Sequence, residues 1–277
     1  MATPKTEQTG THALHARQVS VGYDGRTVCE GIDLEIEPGT VTCLIGPNGS
    51  GKSTLLKGCA RLLDLKGGEV FIEGTPMSRL SSVEVARRLA VLPQSPTTPP
   101  DLTVRELVEQ GRYPHVGALR MLRRHDGEVV AAALAATGMS AFADRDVDAL
   151  SGGERQRAWI ALALAQETPT LFLDEPTTYL DISYQLEVMH LVQELNTTRG
   201  ITVVMVLHDL NQAAAYSDRI VCLRKGTIVA DGAPSDVLTV DLLRDVFRIE
   251  ATVLNDPVTG KPVFLPQRPL GAEPNLP

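Results

Sequence analysis

The sequence predicts an α/β protein: a mixed sheet flanked by helices, an antiparallel β part beside it, and an α-helical subdomain inserted at about residues 98–149. Three observations predict it. Two short apolar runs, 170–173 and 202–207, flank a helical stretch at 183–196, and a strand–helix–strand unit of this kind lays its strands parallel in one sheet. Near the start, Ile32, Leu34 and Ile36 alternate with Asp33, Glu35 and Glu37, the period of a strand with one buried face. Between 98 and 149 the pattern turns helical, with an alanine-rich run at 131–136.

Taken in order, residues 1–11 are polar and Thr-rich and read as a disordered tail. Strands follow at 13–23 and 27–37, joined at Asp24-Gly25, and Pro38-Gly39 makes a turn. A short apolar strand at 41–45 leads into a helix at 52–63, and Gly67-Gly68 opens a strand pair near 70–72. From Ser82 the chain reads as helix, with clear segments at 102–110 and 126–137. The basic stretch between them, 111–125, is broken by Pro114 and Gly117. A helix begins at Ser151 and runs to Gln166, and a hairpin at 219–223 and 227–230 turns at Lys225-Gly226. After Pro262 the chain carries Pro266, Pro269, Pro274 and Pro277 and reads as extended or disordered.

Composition narrows the function. The 277 residues carry a formal net charge of −8, the wrong sign for a nucleic-acid footprint. The apolar run at 201–207 is far short of the roughly 20 residues a membrane span needs, and the polar N-terminus has no signal-peptide core. The chain is therefore expected in the cytoplasm, with any membrane role exercised through a partner. Cys29, Cys43, Cys59 and Cys222 form no CxxC pair and read as small buried hydrophobes.

Residues 46–53, GPNGSGKS, match G-x-x-x-x-G-K-[ST] between an apolar strand and a helix, the context that makes this pattern a phosphate cradle. Glycines let successive N–H groups turn inward on phosphate, and the helix N-terminus adds partial positive charge. Lys52 neutralises the terminal phosphates and the Ser53 hydroxyl ligates Mg²⁺. A second feature is the buried run 171–173 ending in Asp174 and Glu175. Strand stability asks for no carboxylates there, and ligands gather at the carboxyl ends of parallel strands. Asp174 is expected to hold Mg²⁺ and Glu175 to orient or deprotonate the attacking water. The third is LSGGERQR at 150–157. Ser151 and Glu154 have the spacing of a capping box, as do Ser81 and Glu84. Capping does not explain Gly152 and Gly153, which bare the backbone as a second anion site. One complete cradle and two phosphate sites imply that the second serves a nucleotide held by another copy.

With these motifs in place the chain resembles the ATP-binding subunits of ABC transporters, over about residues 13–266. LSGGERQR is that superfamily's signature. The resemblance implies ATP and Mg²⁺ as cofactors, with Gly46, Pro47, Asn48, Gly49, Ser50, Gly51, Lys52, Ser53 and Thr54 around the phosphates. It implies Tyr23 stacked on adenine, Gln94 reaching Mg²⁺ and the attacking water, Asp181 at the dimer interface and His208 on the γ-phosphate. Ser53, Gln94 and Asp174 would be the metal-side residues, and Lys52, Gln94, Glu175 and His208 the catalytic ones. A narrower likeness, to the iron–siderophore importer branch, rests on GRYPH at 111–115, TYLDI at 178–182, VLHDLNQA at 206–213 and DPVTGKP at 256–262. That branch also includes importers of haem and cobalamin. The implied assembly is a head-to-tail homodimer bound to an integral-membrane permease at the cytoplasmic face of the cell membrane, served indirectly by a substrate-binding protein, with no nucleic acid. Arg112, Tyr113 and His115, followed by Arg120, Arg123 and Arg124, are expected to dock the permease. Residues 1–12 and 267–277 are expected to be flexible tails. Two rival readings are a soluble ABC ATPase acting on DNA or ribosomes, which would carry a long coiled coil or tandem cassettes, and a phosphate-loop kinase, which has no use for LSGGERQR.

Overall fold

The computed structural model describes residues 12–94, 96, 101–116 and 124–271. The chain opens with strands β1 (Leu14–Tyr23), β2 (Arg26–Ile36) and β3 (Val41–Ile45), followed by helix α1 (Lys52–Cys59). Then come β4 (Leu65–Ile72), β5 (Thr75–Pro76), α2 (Ser82–Ala86) and β6 (Leu89–Leu92). The helical subdomain holds α3 (Val104–Glu109), α4 (Tyr113–Val116) and α5 (Arg124–Ala136). It is followed by α6 (Gly152–Ala165), β7 (Thr170–Asp174), α7 (Ile182–Arg199), β8 (Thr202–Val206) and α8 (Leu210–Tyr216). The chain finishes with β9 (Arg219–Arg224), β10 (Thr227–Gly232), α9 (Pro234–Val237), α10 (Val240–Asp245), β11 (Ile249–Asn255) and β12 (Pro262–Pro269).

Among the described residues the strands form three sheets: antiparallel β2-β1-β4-β5, six-stranded β10-β9-β3-β8-β7-β6, and the pair β11-β12. The six-stranded sheet is parallel from β9 to β6, and β10 joins antiparallel. Its central strands β3, β7 and β8 are buried along their whole length and mostly apolar because both faces are covered. Cys43, Leu171, Leu173, Val203 and Met205 face a core shared with α6, α7 and the helical subdomain. Their neighbours Leu44, Phe172, Val204 and Val206 face a second core shared with α1 and the antiparallel sheet. The chain steps from β8 across β3 to reach β9, so β3 lies at a reversal of strand order, where ligands bind in such sheets.

The structure corrects four expectations. Helix α1 stops at Cys59 rather than 63, since Arg61 takes φ +57° and reaches Leu80 O at 2.6 Å. Gly67 and Gly68 lie inside β4 at a register shift, where Gly68 has φ +76° and a Cβ would come within 2.2 Å of Gln18 O. The stretch after Ser82 is not all helix, for β6 pairs in parallel with β7 at the sheet edge. The segment from Pro262 is a strand through Pro269, so pairing continues beyond 266. Its prolines are tolerated because a two-stranded ladder has only edges.

All four cysteines are free and buried. Burial pushes the thiol of Cys29 up to about 11 and those of Cys59 and Cys222 to about 12, and Cys43 rises as well. At neutral pH the reactive thiolate is therefore scarce. The folded protein should resist thiol-specific reagents, with full labelling only after denaturation, as read by mass spectrometry. Rapid labelling of the folded protein would contradict this.

Candidate active site

The residues singled out around phosphate converge because they follow the carboxyl ends of adjacent parallel strands. The loop after β3 wraps back tightly. A Cβ on Gly46 would stand 2.1 Å from Leu223 O, and one on Gly51, with φ +105°, 2.5 Å from Cys29 Sγ. Glycine is required at both positions by these approaches. Gly226 N donates to Ser50 O at 2.9 Å, so the β9–β10 turn braces the loop.

Lys52 is only 5% exposed, and its Nζ donates to Gly46 O at 2.8 Å and Pro47 O at 3.2 Å. Burial lowers its pKa, opposed by Glu175 and Asp174. The ammonium thus rests on carbonyls of the loop it would leave to meet phosphate. Asp174 is 1% exposed; one oxygen accepts from Ser53 Oγ at 2.6 Å, and the other is buried without a hydrogen-bond partner among the described residues. Lys57 Nζ lies 4.0 Å from it. Burial raises the Asp174 pKa, partly offset by the Ser53 bond and by Lys57. A buried carboxylate with an unsatisfied oxygen beside a serine hydroxyl suits a hard divalent cation.

Glu175 is the hub. Its backbone has φ +56°, a strained setting for a glutamate that the neighbouring strands must enforce. One carboxylate oxygen accepts from Gln94 Nε2 at 2.5 Å and Thr178 Oγ1 at 3.1 Å; the other lies 2.5 Å from His208 Nε2. Gln94 arrives from the end of β6, Glu175 from β7 and His208 from β8. A cleft of about 670 Å³ is lined by residues 48–54, Gln94, Glu175, Thr178, Tyr179 and His208.

Other expected residues stand apart from that cleft. Tyr23, at the end of β1, is half-exposed and not among its lining residues. Ser151 caps α6 through a capping box with Glu154, as Ser81 caps α2 with Glu84. Gly153 lies against Tyr184, whose ring a Cβ would meet at 2.3 Å, while Ser151 and Gly152 face solvent. Asp181 caps α7, accepting from Tyr184 N at 3.1 Å. The signature and Asp181 therefore share one surface beside the start of α7, and neither lines the chain's own cleft.

Two residues of the site escaped sequence reasoning. Lys57 follows Ser53 by one helical turn, and that i,i+4 spacing places both on the face of α1 that meets Asp174. Thr178 precedes Tyr179 in a segment already noticed, and only the fold reveals its bond to Glu175. The expected docking cations fare differently. Arg112 is 2% exposed and bound to Asp126, Glu167 and Ala165 O, so it is an internal ion-pair centre and not a docking residue. His115 Nε2 lies 2.9 Å from Gln166 O. Arg120 and Arg123 lie outside the described residues.

A glycine-rich loop on a helix N-terminus, a buried lysine, a Ser–Asp pair and a polarised carboxylate in one cleft define a nucleotide-hydrolysing phosphate-loop protein. The family model described as ABC transporter matches residues 29–178. The chain belongs to that family as an ATP-hydrolysing, ATP-binding subunit. It is 47% identical to the ferric enterobactin transport ATP-binding protein FepC of Escherichia coli, over 91% of this chain and 93% of that protein. It is 43% identical to the hemin import ATP-binding protein HmuV of Nocardia farcinica, over 96% and 93%. Among solved structures, an inward-facing transporter of metal-chelate type superposes with a TM-score of 0.80 at 26% identity, covering 93% of this chain and 98% of that one. A dimeric bacterial ABC transporter cassette superposes at 0.70 with 30% identity, over 79% and 98%.

Proposed function

We propose that this chain powers uptake of a ferric siderophore, working as a head-to-tail homodimer beneath a membrane permease that receives its cargo from a substrate-binding protein. The observation that carries the catalytic reading is Glu175, whose carboxylate is held between Gln94 and His208 at the mouth of the phosphate loop. Each nucleotide lies between Lys52, Ser53, Asp174 and Glu175 of one copy and Ser151 and Gly153 of the other. The split arrangement supports this, because the signature and Asp181 do not line their own chain's cleft, and a related cassette is a dimer. Tyr23 takes the adenine ring. Ser53, Asp174 and Gln94 would hold Mg²⁺, which would neutralise charge on the terminal phosphates. Lys52 swings from the carbonyls of Gly46 and Pro47 to those phosphates. Glu175 orients the attacking water and takes its proton, and His208 and Gln94 hold that carboxylate in place. No helix among the described residues is long and apolar enough to cross a membrane, so movement of cargo falls to the permease.

The siderophore cargo rests on the enterobactin relative, and the hemin relative keeps haem as the second reading. In a strain lacking the gene, uptake of iron-55-labelled siderophore should be restored by the wild-type chain and not by Lys52→Ala. Restoration of haem uptake with siderophore uptake unaffected would replace the first reading with the second.

A further inference from the structure

Two of the sequence segments that suggested the importer branch, at 206–213 and 256–262, lead into elements that meet in space, α8 and the hairpin of β11 and β12, and no step above uses the contact. Asn211, in the first turn of α8, pairs with the main chain of Phe264 in β12 as a neighbouring strand would. Its Nδ2 donates to Phe264 O at 3.2 Å and its Oδ1 accepts from Phe264 N at 2.9 Å. At the other end of α8, Lys261 Nζ donates to Ala215 O at 2.7 Å and Ser217 O at 3.2 Å, satisfying carbonyls that a helix C-terminus leaves open. The turn that aims Lys261 is self-bonded. Asp256 accepts from Val258 N at 3.0 Å and Thr259 Oγ1 at 2.6 Å, and Gly260 N closes back on Asp256 O at 2.8 Å.

We infer that the C-terminal hairpin is a clamp on α8, and that Asn211 is a positioning residue which sets His208 against Glu175. Helix α8 has only seven residues, too few to hold a direction by its own hydrogen bonds. Its orientation comes from its attachments. On one side Gln212 Nε2 reaches Gln185 of α7 at 2.6 Å, and on the other stand Asn211 and Lys261. His208 sits one residue before the capping Asp209, which accepts from Asn211 N and Gln212 N at 2.8 and 2.9 Å. A tilt of α8 is therefore passed directly to the imidazole, whose partner oxygen is 2.5 Å away. Small misplacements of groups at a reacting centre are amplified in rate.

The inference rests on the proposed role of His208, and the test separates the two. ATP hydrolysis by the full chain should fall about tenfold in kcat for Asn211→Ala, with KM for ATP within about twofold. Lys261→Met keeps the stem, removes the charged head and leaves the hairpin's apolar packing in place; it should lower kcat about two- to threefold. In a His208→Ala background both effects should vanish, because partners in one chain of action are non-additive. An unchanged kcat in Asn211→Ala, or the same fold-loss with and without His208, overturns the clamp. A His208→Ala protein with wild-type kcat overturns the role of His208 itself and removes the clamp's route to the chemistry.

Discussion

Glu175→Gln should abolish turnover while leaving ATP bound, and should lock two copies together. Glutamine keeps the shape that Gln94, Thr178 and His208 enclose, and Asp174 and Ser53 are untouched. What disappears is the charge proposed to accept the proton of the attacking water, and loss of a positioned base lowers rate by roughly 10²–10⁴-fold. In the proposed shared site, uncleaved nucleotide should then continue to bridge Lys52 of one chain and Ser151 of the other. On size exclusion with saturating Mg-ATP the variant should elute as a dimer, and without nucleotide as a monomer. Asp174→Asn should differ, weakening the hold on metal and hence on the dimer. A Glu175→Gln protein that stays monomeric under ATP and hydrolyses it at a near-normal rate would sink both the catalytic role and the shared site.

Arg112→Met should strike stability harder than any other single change in the helical subdomain. The guanidinium donates to Asp126 at 2.9 Å, to Glu167 at 2.6 Å and to Ala165 O at 2.8 Å, and Asp126 is itself buried. Removing one member of a buried ion pair leaves the other charge uncompensated and costs about 3–5 kcal/mol. That is a large fraction of the roughly 5–15 kcal/mol that holds a domain folded, and should lower the thermal midpoint by about 10 °C. Removing both charges, as Arg112→Met with Asp126→Leu, should recover most of the loss. Equal midpoints for Arg112→Met and wild type would show that the network contributes nothing.

What was legible in the sequence was local. The phosphate loop, the signature and the strand ending in Asp174 and Glu175 are contiguous runs whose geometry is set within a few residues, and each was found. The βαβ unit announced the parallel sheet because its strands are apolar on both faces. Strand β6 was hidden because four residues carry too little periodicity to outweigh helix on either side. Arg112 read as surface because it opens a basic stretch broken by Pro114 and Gly117. Its partners lie 14, 53 and 55 residues away, and nothing local marks them. The final strand was read only as extended or disordered because prolines usually interrupt ladders. The cation Lys57 was missed because the sheet alone brings the Asp174 carboxylate to it, and the cleft residue Thr178 because nothing in the sequence marks the turn that folds it back on Glu175, three residues earlier.

The strand order has a mechanical consequence. Strands β7 and β8 each have a neighbour on both sides, whereas among the described residues β6 is paired with β7 alone. Glu175 and His208 are thus mounted on the stiff interior of the sheet, and Gln94 on its free margin. Of the three groups that meet at the Glu175 carboxylate, Gln94 has the freedom to withdraw and return without breaking a ladder between inner strands. It also stands at the start of the chain's passage into the helical subdomain. A push delivered there would be felt at the carboxylate as the arrival or departure of one amide, while the rest of the reaction centre kept its place.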